Sequence, residues 1–258
     1  MLGKPKYQLG NKVTFKIEEK EYKGNIYIID SYGTFEDDSD VSYDIMVDNW
    51  GPKKEQCLFK HINENLIKNY MKIFFDTEFT GLHKNTTLIS IGLVAEDGRE
   101  FYGELNDYDE SQCDDWIKEN VISHLIYKDC KGSVSTYNNG LTTYVNGDKS
   151  YIANQLDIWF SRFDNIELVS DVCHYDMMLL IDLFGSAFDL PKHINPACHD
   201  INQDIANRYD LSETWAFNKS REELLKEYNK TIEGNKHNAL YDAKVIKAIY
   251  EIVNNDYE

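Results

Sequence analysis

The sequence predicts an α/β protein, in which a sheet is flanked by helices, preceded by a small all-β domain. Residues 7–69 contain four or five short strand-like runs separated by turn-forming residues. From Met71 onward, three strand-like runs come first, and helical and strand-like segments then alternate. This change of pattern places the domain boundary near Asn69, with predicted domains at residues 1–69 and 70–258.

The first domain has strand-like runs at residues 13–17, 25–30, 42–47 and 55–59, with turn-like stretches such as residues 37–40 between them. Such a succession predicts a small antiparallel barrel, and it resembles the SH3-like barrels that are often appended to nucleic-acid enzymes. We expect this domain to be an accessory or binding module. Its aromatic residues are either core residues, the simpler interpretation, or base-stacking residues: Tyr7, Phe15, Tyr22, Tyr27, Tyr43 and Trp50.

Composition limits the classes of partner. The net charge is −18, and residues 71–258 carry −16 of it. Phosphate contacts usually need Lys and Arg, so this charge disfavours a long duplex footprint and favours short strands or chain ends. The sequence lacks an apolar run of the roughly 18 residues that a membrane span needs. The five scattered cysteines favour reduced thiols, and we expect a cytoplasmic protein without a membrane partner.

The second domain begins with strands predicted at residues 71–79, 88–95 and 100–104, the last two joined by an Asp97–Gly98 turn. A helix is predicted around Trp116, and residues 128–149 are predicted to form an exposed hairpin or a flexible excursion beside the site. A helix at residues 151–163, a strand at 166–170 and helices within 191–233 complete the prediction.

The first strand delivers two carboxylates, Asp76 and Glu78, before it breaks at Gly81. Alternate side chains of a strand share a face, so these two carboxylates point the same way. Adjacent like charges repel unless a hard dication such as Mg²⁺ or Mn²⁺ lies between them. The pair therefore predicts one side of a metal site.

Two later segments offer further ligands. Asp176 opens a helical segment that follows an apolar strand, and Asp242 lies on an amphipathic C-terminal helix. Asp171 also ends the strand and is an alternative to Asp176. His237 precedes Asp242 by five residues, about 140° around a helix, so we expect it on the loop before the helix.

These three motifs resemble the DEDDh exonucleases, which have a ribonuclease H-like fold with a mixed sheet. The resemblance covers residues from about Met71 to the C-terminus. It implies a 3′-to-5′ exonuclease that releases 5′-mononucleotides from single-stranded 3′ ends of RNA or DNA, with RNA or short oligonucleotides favoured. Two divalent ions, Mg²⁺ or Mn²⁺, would be held by Asp76, Glu78, Asp176 and Asp242, with His237 as general base.

The resemblance favours Asp176 over Asp171, although Val172 replaces the asparagine usual in that motif. It further implies that Thr77, Phe79 and Leu82 contact the terminal nucleotide, with simple burial as the alternative for Phe79 and Leu82. Many relatives are dimers, so a homodimer is compatible. The alternative function is a non-catalytic regulator that binds nucleic acid or protein on the same fold.

Overall fold

Contacts within the chain divide it into two units, Met1–Tyr70 and Met71–Glu258. The computed structural model describes residues 4–18, 20–33, 40–68, 70–130 and 132–254. Asn69, at the predicted boundary, and most of the predicted turn at residues 37–40 lie outside the described residues. In the part of the chain that is described, no helix combines the length and the apolar character needed to cross a membrane.

The N-terminal unit is a five-stranded antiparallel sheet in the order β4-β3-β2-β1-β5. Phe15 and Tyr43 are fully buried in its core, whereas Tyr27 is 59% exposed. The small all-β domain is confirmed, and an SH3-like barrel stays a prediction. Its strands are β1 (Lys12–Ile17), β2 (Lys20–Asp30), β3 (Ser42–Trp50), β4 (Glu55–Asn63) and β5 (Ile67–Lys68).

The C-terminal unit contains a seven-stranded mixed sheet, as expected for the predicted fold class. Its strands are β6 (Met71–Phe79), β7 (Leu88–Ala95), β8 (Glu100–Leu105), β9 (Ser135–Asn139), β10 (Thr142–Gly147), β11 (Ile166–Ser170) and β12 (His199–Asp200). They lie in the order β12-β11-β6-β7-β8-β10-β9. Strands β6, β7 and β8 pair antiparallel, while β11 runs parallel to β6. The carboxyl end of β11 therefore reaches the edge of the sheet where Asp76 and Glu78 lie.

Helices cover both faces of this sheet. Alternate residues of β6 enter two different cores: Phe75 packs in a core with Trp159 and Leu180, and Phe74 packs in a core with Ile205 and Ile249. The sheet is thus buried on both sides, which explains the continuous apolar runs of β6 and β7. The helices are α1 (Asp115–Asn120), α2 (Lys149–Phe160), α3 (Cys173–Phe184), α4 (Ile201–Tyr209), α5 (Glu213–Asn218), α6 (Arg221–Glu227) and α7 (Ala239–Asn254).

The segment at residues 128–149 corrects one prediction. It contains the hairpin of β9 and β10, but β10 pairs parallel with β8 and Val145 is fully buried. Three strand spacings, about 14 Å, separate β10 from β6. The prediction that this segment lies beside the site is therefore wrong. The edge strand β9 is largely exposed and makes the segment polar. The sequence pattern of the segment therefore does not reveal the buried strand β10 next to it.

Helix α7 crosses the sheet at Gly92 of β7. A Cβ atom at Gly92 would lie 2.3 Å from backbone atoms of Ala239 and Leu240, so only glycine permits this close approach. Gly92 is paired with Asp76 across the β6–β7 ladder. The contact therefore brings the first turn of α7, with Asp242, next to the carboxylates of β6.

We expect Gly92→Ala to destabilise the protein by about 3 kcal/mol, because the added methyl group forces α7 away from β7. Urea unfolding of the metal-free protein, followed by circular dichroism, measures the loss. Gly98→Ala is the control: its nearest neighbour would be 3.7 Å away, so it carries only the strain of a φ of +89°, about 1 kcal/mol. Equal losses in the two variants would contradict the close contact.

Candidate active site

The site is built on the carboxyl end of β6. Asp76 pairs with Gly92 and Glu78 with Ser90, and the strand is irregular between Glu78 and Phe79. The two carboxylates therefore share the face of the sheet that α7 covers. Thr77 points to the opposite face, where its hydroxyl donates to Asp176 Oδ1 over 2.5 Å.

Asp176 lies in the first turn of α3 and is 1% exposed. The Thr77 backbone N–H donates to its Oδ1 over 3.2 Å, and the Ser170 hydroxyl donates to its Oδ2. Burial raises the pKa of Asp176 to about 7, although these hydrogen bonds oppose the rise. Hydrogen bonds from Thr77 of β6 and Ser170 of β11 thus fix the position of Asp176.

Helix α7 and the loop before it supply the last two predicted residues. Asp242 accepts a hydrogen bond of 2.8 Å from the His237 backbone N–H. His237 has a φ of +62°, and the Asn238 side chain caps the helix by accepting from the Tyr241 N–H over 3.2 Å. His237 therefore lies on the loop, and its Nδ1 is 3.8 Å from Glu78 Oε1.

The environment of His237 favours the neutral form of its imidazole. Burial is the main cause that lowers its pKa, and the nearby Lys236 and His124 lower it further. The Trp116 ring meets the His237 ring edge-on, with 5.0 Å between the centroids. The sequence pattern predicts a helix around Trp116 but no link to the site, because only tertiary packing brings the two rings together.

The structure gathers the candidate ligands into two groups, in each of which the potential ligand atoms lie within 4.8 Å of one another. One group contains Asp76, Asp171 and Asp176, and the other contains Glu78, His237 and Asp242. Most of these residues line one cavity of about 460 Å³. Both Asp171 and Asp176 therefore approach Asp76, and Asp171 additionally accepts a hydrogen bond of 2.9 Å from Arg221 Nε.

A divalent cation fits these side chains. Asp76 Oδ2 is buried and has no hydrogen-bond partner among the described residues. Burial, reinforced by the neighbouring carboxylates of Asp176 and Asp242, raises the pKa of Asp76 and of Glu78 well above the ordinary value. A buried oxygen without a donor and a set of carboxylates that repel one another are the features that Mg²⁺ or Mn²⁺ would satisfy.

The predicted substrate-binding residues have three different surroundings. The Thr77 hydroxyl is engaged by Asp176, and Phe79 stacks on Tyr175 with a centroid distance of 5.1 Å and an interplanar angle of 9°. Leu82 is 77% exposed, so the alternative of burial is wrong for Leu82. The cavity wall also contains residues that no sequence motif pointed to: Phe217, Lys219, Ser220, Arg221 and Lys236.

Comparison with known proteins adds a family model, described as the 3′-5′ exoribonuclease Rv2179c-like domain, that matches residues 71–253. Two Mycobacterium tuberculosis proteins, 3′-5′ exoribonuclease Rv2179c (strain H37Rv) and 3′-5′ exoribonuclease MT2234.1 (strain CDC 1551), are each 42% identical over 55 residues. That stretch is 21% of this chain and 33% of each relative, so the chain spans about a third of the length of the curated relatives it matches.

Similar solved structures include the nuclease domain of 3′hExo, a DEDDh family member, bound to rAMP. Its TM-score is 0.51 at 13% identity, covering 70% of this chain and 91% of that one. Schizosaccharomyces pombe Pop2p, in an Mg²⁺- and Mn²⁺-bound form, has a TM-score of 0.49 at 15% identity, covering 73% and 84%. The likeness to 3′hExo establishes the ribonuclease H-like fold.

The raised pKa values predict how stability depends on pH. The pKa of Asp242 is about 7 in the folded protein against an ordinary 3.8, so between these values the folded state binds more protons than the unfolded state. We expect each such carboxylate to lower the free energy of unfolding in EDTA by about 1 kcal/mol per pH unit as the pH rises from 5 to 7. Denaturant unfolding at several pH values measures this slope.

Asp242→Asn, which keeps an acceptor for the His237 N–H, should reduce that slope by the contribution of Asp242, and the part due to Asp76, Glu78 and Asp176 should remain. Asp157→Asn, at an exposed position on α2, is the matched control and should keep the full slope. Saturating Mn²⁺ should also flatten or reverse the slope, because cation binding favours the ionised carboxylates. A slope in Asp242→Asn equal to that of the wild type would show that Asp242 does not titrate in this range.

Proposed function

Because the chain belongs to the Rv2179c-like 3′-5′ exoribonuclease domain family, we propose that it is a metal-dependent 3′-to-5′ exonuclease. It would hydrolyse the terminal phosphodiester bond of single-stranded 3′ ends and release 5′-mononucleotides, with RNA or short oligonucleotides as favoured substrates. One observation carries the proposal: Asp76, Glu78, Asp242 and His237 line one cavity, and the buried Asp176 has a potential ligand atom within 4.8 Å of one of Asp76.

The donor set fits two divalent ions, Mg²⁺ or Mn²⁺. Asp76, Glu78, Asp176 and Asp242 would hold them, since hard cations prefer carboxylate oxygens. When bound, such ions supply an acidified water and relieve charge on the phosphate and on the departing oxygen. The side chains themselves are held in place before any ion binds, because Thr77 and Ser170 fix Asp176 and the His237 backbone fixes Asp242.

His237 is the proposed general base. Its pKa is lowered from the ordinary value, so the imidazole is neutral near pH 7 and can accept the proton of the attacking water. The loop holds its backbone against Asp242, and Trp116 packs against its ring. These contacts restrict the imidazole to the side of the cavity where Glu78 and Asp242 lie.

The surroundings of the cavity favour the binding of a short, single-stranded nucleic acid. Residues 71–258 carry a net charge of −16, which opposes a long phosphate footprint. Exposed Leu82 and the stacked rings of Phe79 and Tyr175 offer apolar surface for the terminal nucleotide. Thr77 lies on β6, two residues before Phe79. The rAMP bound to 3′hExo makes a ribonucleotide a reasonable first substrate to test.

We expect stepwise shortening of 5′-labelled single-stranded RNA in Mn²⁺ or Mg²⁺, no shortening in EDTA, and loss of activity by at least about a hundredfold in Asp76→Ala, because a metal-holding carboxylate is removed. Gel analysis of matched RNA and DNA, with 3′ labels as well, gives the direction and the sugar preference. Asp157→Asn serves as the control. No cleavage of any substrate, dinucleotides included, would refute the exonuclease and favour a binding protein.

The role of His237 predicts a pH profile. The wild-type rate should rise with pH through a pKa below 6.5 and then level off, because only the neutral imidazole accepts a proton. His237→Ala should lower kcat by about 10² to 10⁴ and remove this rise. His61→Ala, in the N-terminal unit, is the control. If His237→Ala kept the wild-type rate and profile, another group would be the base.

A further inference from the structure

Asp171 belongs to two sets of interactions at once. One of its oxygens lies within 4.8 Å of potential ligand atoms of Asp76 and Asp176. Its Oδ2 accepts a hydrogen bond of 2.9 Å from Arg221 Nε, in an ion pair whose side chains are 17% and 13% exposed. The carboxylate of Asp171 thus connects the predicted metal ligands with a largely buried guanidinium on α6.

Arg221 is fixed by more than this ion pair. Its terminal nitrogens donate to the carbonyls of Ala216 (2.8 Å) and Lys219 (3.1 Å) and to Asn202 Oδ1 (2.6 Å). Asn202, which is 3% exposed, in turn donates to the backbone carbonyl of Asp171 over 2.7 Å. The guanidinium therefore stays at the cavity wall as a permanent positive charge beside Asp171.

The charges around the cavity show what this arginine changes. The five carboxylates of Asp76, Glu78, Asp171, Asp176 and Asp242 exceed the four positive charges of two divalent ions by one. A phosphodiester is also negative, so it would meet net repulsion there. The charge of Arg221 cancels the excess. Lys236, another cation of the cavity wall, pairs with Glu222 at 3.5 Å and its side chain is 57% exposed, so its charge is more strongly screened. Lys219, also on this wall, pairs with Glu223 and Glu227.

We propose that Arg221 is a positioning residue: it holds Asp171 as a fixed fifth carboxylate beside the metal ligands and offsets its charge, so that the substrate phosphate can approach. This inference rests on the proposed metal-dependent function. Without Arg221, Asp171 is free to turn toward a bound cation. The cation is then held more tightly, while the phosphate is repelled.

The test combines a binding measurement without substrate and a kinetic one. In calorimetry, Arg221→Met should bind Mn²⁺ about threefold to tenfold more tightly than the wild type, since one positive charge near the cation is lost. The same variant should raise the KM for a single-stranded RNA by a similar factor, with a smaller change in kcat. Tighter Mn²⁺ binding together with a raised KM for RNA distinguishes this role from simple structural support, because the loss of a structural contact would weaken the binding of both.

Three further variants complete the design. Arg221→Lys keeps the charge and should leave KM nearer the wild-type value than Arg221→Met does. Asp171→Asn combined with Arg221→Met restores the net charge and should bring both measurements back toward the wild type. Arg208→Met removes an exposed arginine from α4 and should change neither.

Unchanged or weakened Mn²⁺ binding by Arg221→Met would overturn the proposal. If that variant does not fold, Asp171→Asn decides: the proposal requires weaker Mn²⁺ binding without a raised KM, and wild-type Mn²⁺ binding would refute it. The calorimetric arm needs no catalysis. A wild type that binds Mn²⁺ but cleaves nothing therefore refutes the exonuclease and still leaves the effect of Arg221 on the cation measurable.

Discussion

Repulsion among carboxylates at the end of β6 is the constraint that the rest of the C-terminal unit accommodates. Each carboxylate outside β6 has its own donor: hydroxyls for Asp176, a backbone N–H for Asp242 and a guanidinium for Asp171. Asp76 Oδ2, at the centre, is buried and has no hydrogen-bond partner among the described residues. The folded state therefore holds like charges close together at a cost in free energy, which a bound cation would reduce. Stability and cation binding are coupled through these groups.

The scaffold that tolerates this strain is the sheet that is buried on both faces. Phe74 and Phe75, directly before Asp76, anchor β6 in two separate cores. Gly92 then lets α7 pack against the backbone of β7, which sets the distance between Asp242 and the β6 carboxylates. Ligands carried by strands and helix ends, rather than by loops alone, are held with the precision that catalysis requires. His237 is the exception, and its positive φ and the bond from its backbone to Asp242 restrict it.

Much of this arrangement follows from local patterns. The alternation at Asp76 and Glu78, the apolar runs of β7 and β11, and the offset between His237 and Asp242 each depend on a few neighbouring residues, and each is found where the pattern placed it. Helix α2 starts at Lys149, before the predicted Tyr151, because Asp148 caps it. What local patterns cannot supply is pairing across the fold. The parallel contact of β10 with β8, the ring contact of Trp116 with His237 and the ion pair of Asp171 with Arg221 join residues that are distant in sequence.

The ladder that carries the site has a further consequence for how the chain folds. Strand β6 pairs with β7 next to it in sequence and with β11 far along the chain, and α7, the last helix, closes the site. Such non-local contacts are slow to form because loop closure must precede them. The carboxylates of β6 therefore meet those of α3 and α7 only through contacts between distant parts of the chain. Until α7 docks, a partly folded chain lacks Asp242 beside Glu78 and does not present the complete set of potential ligands.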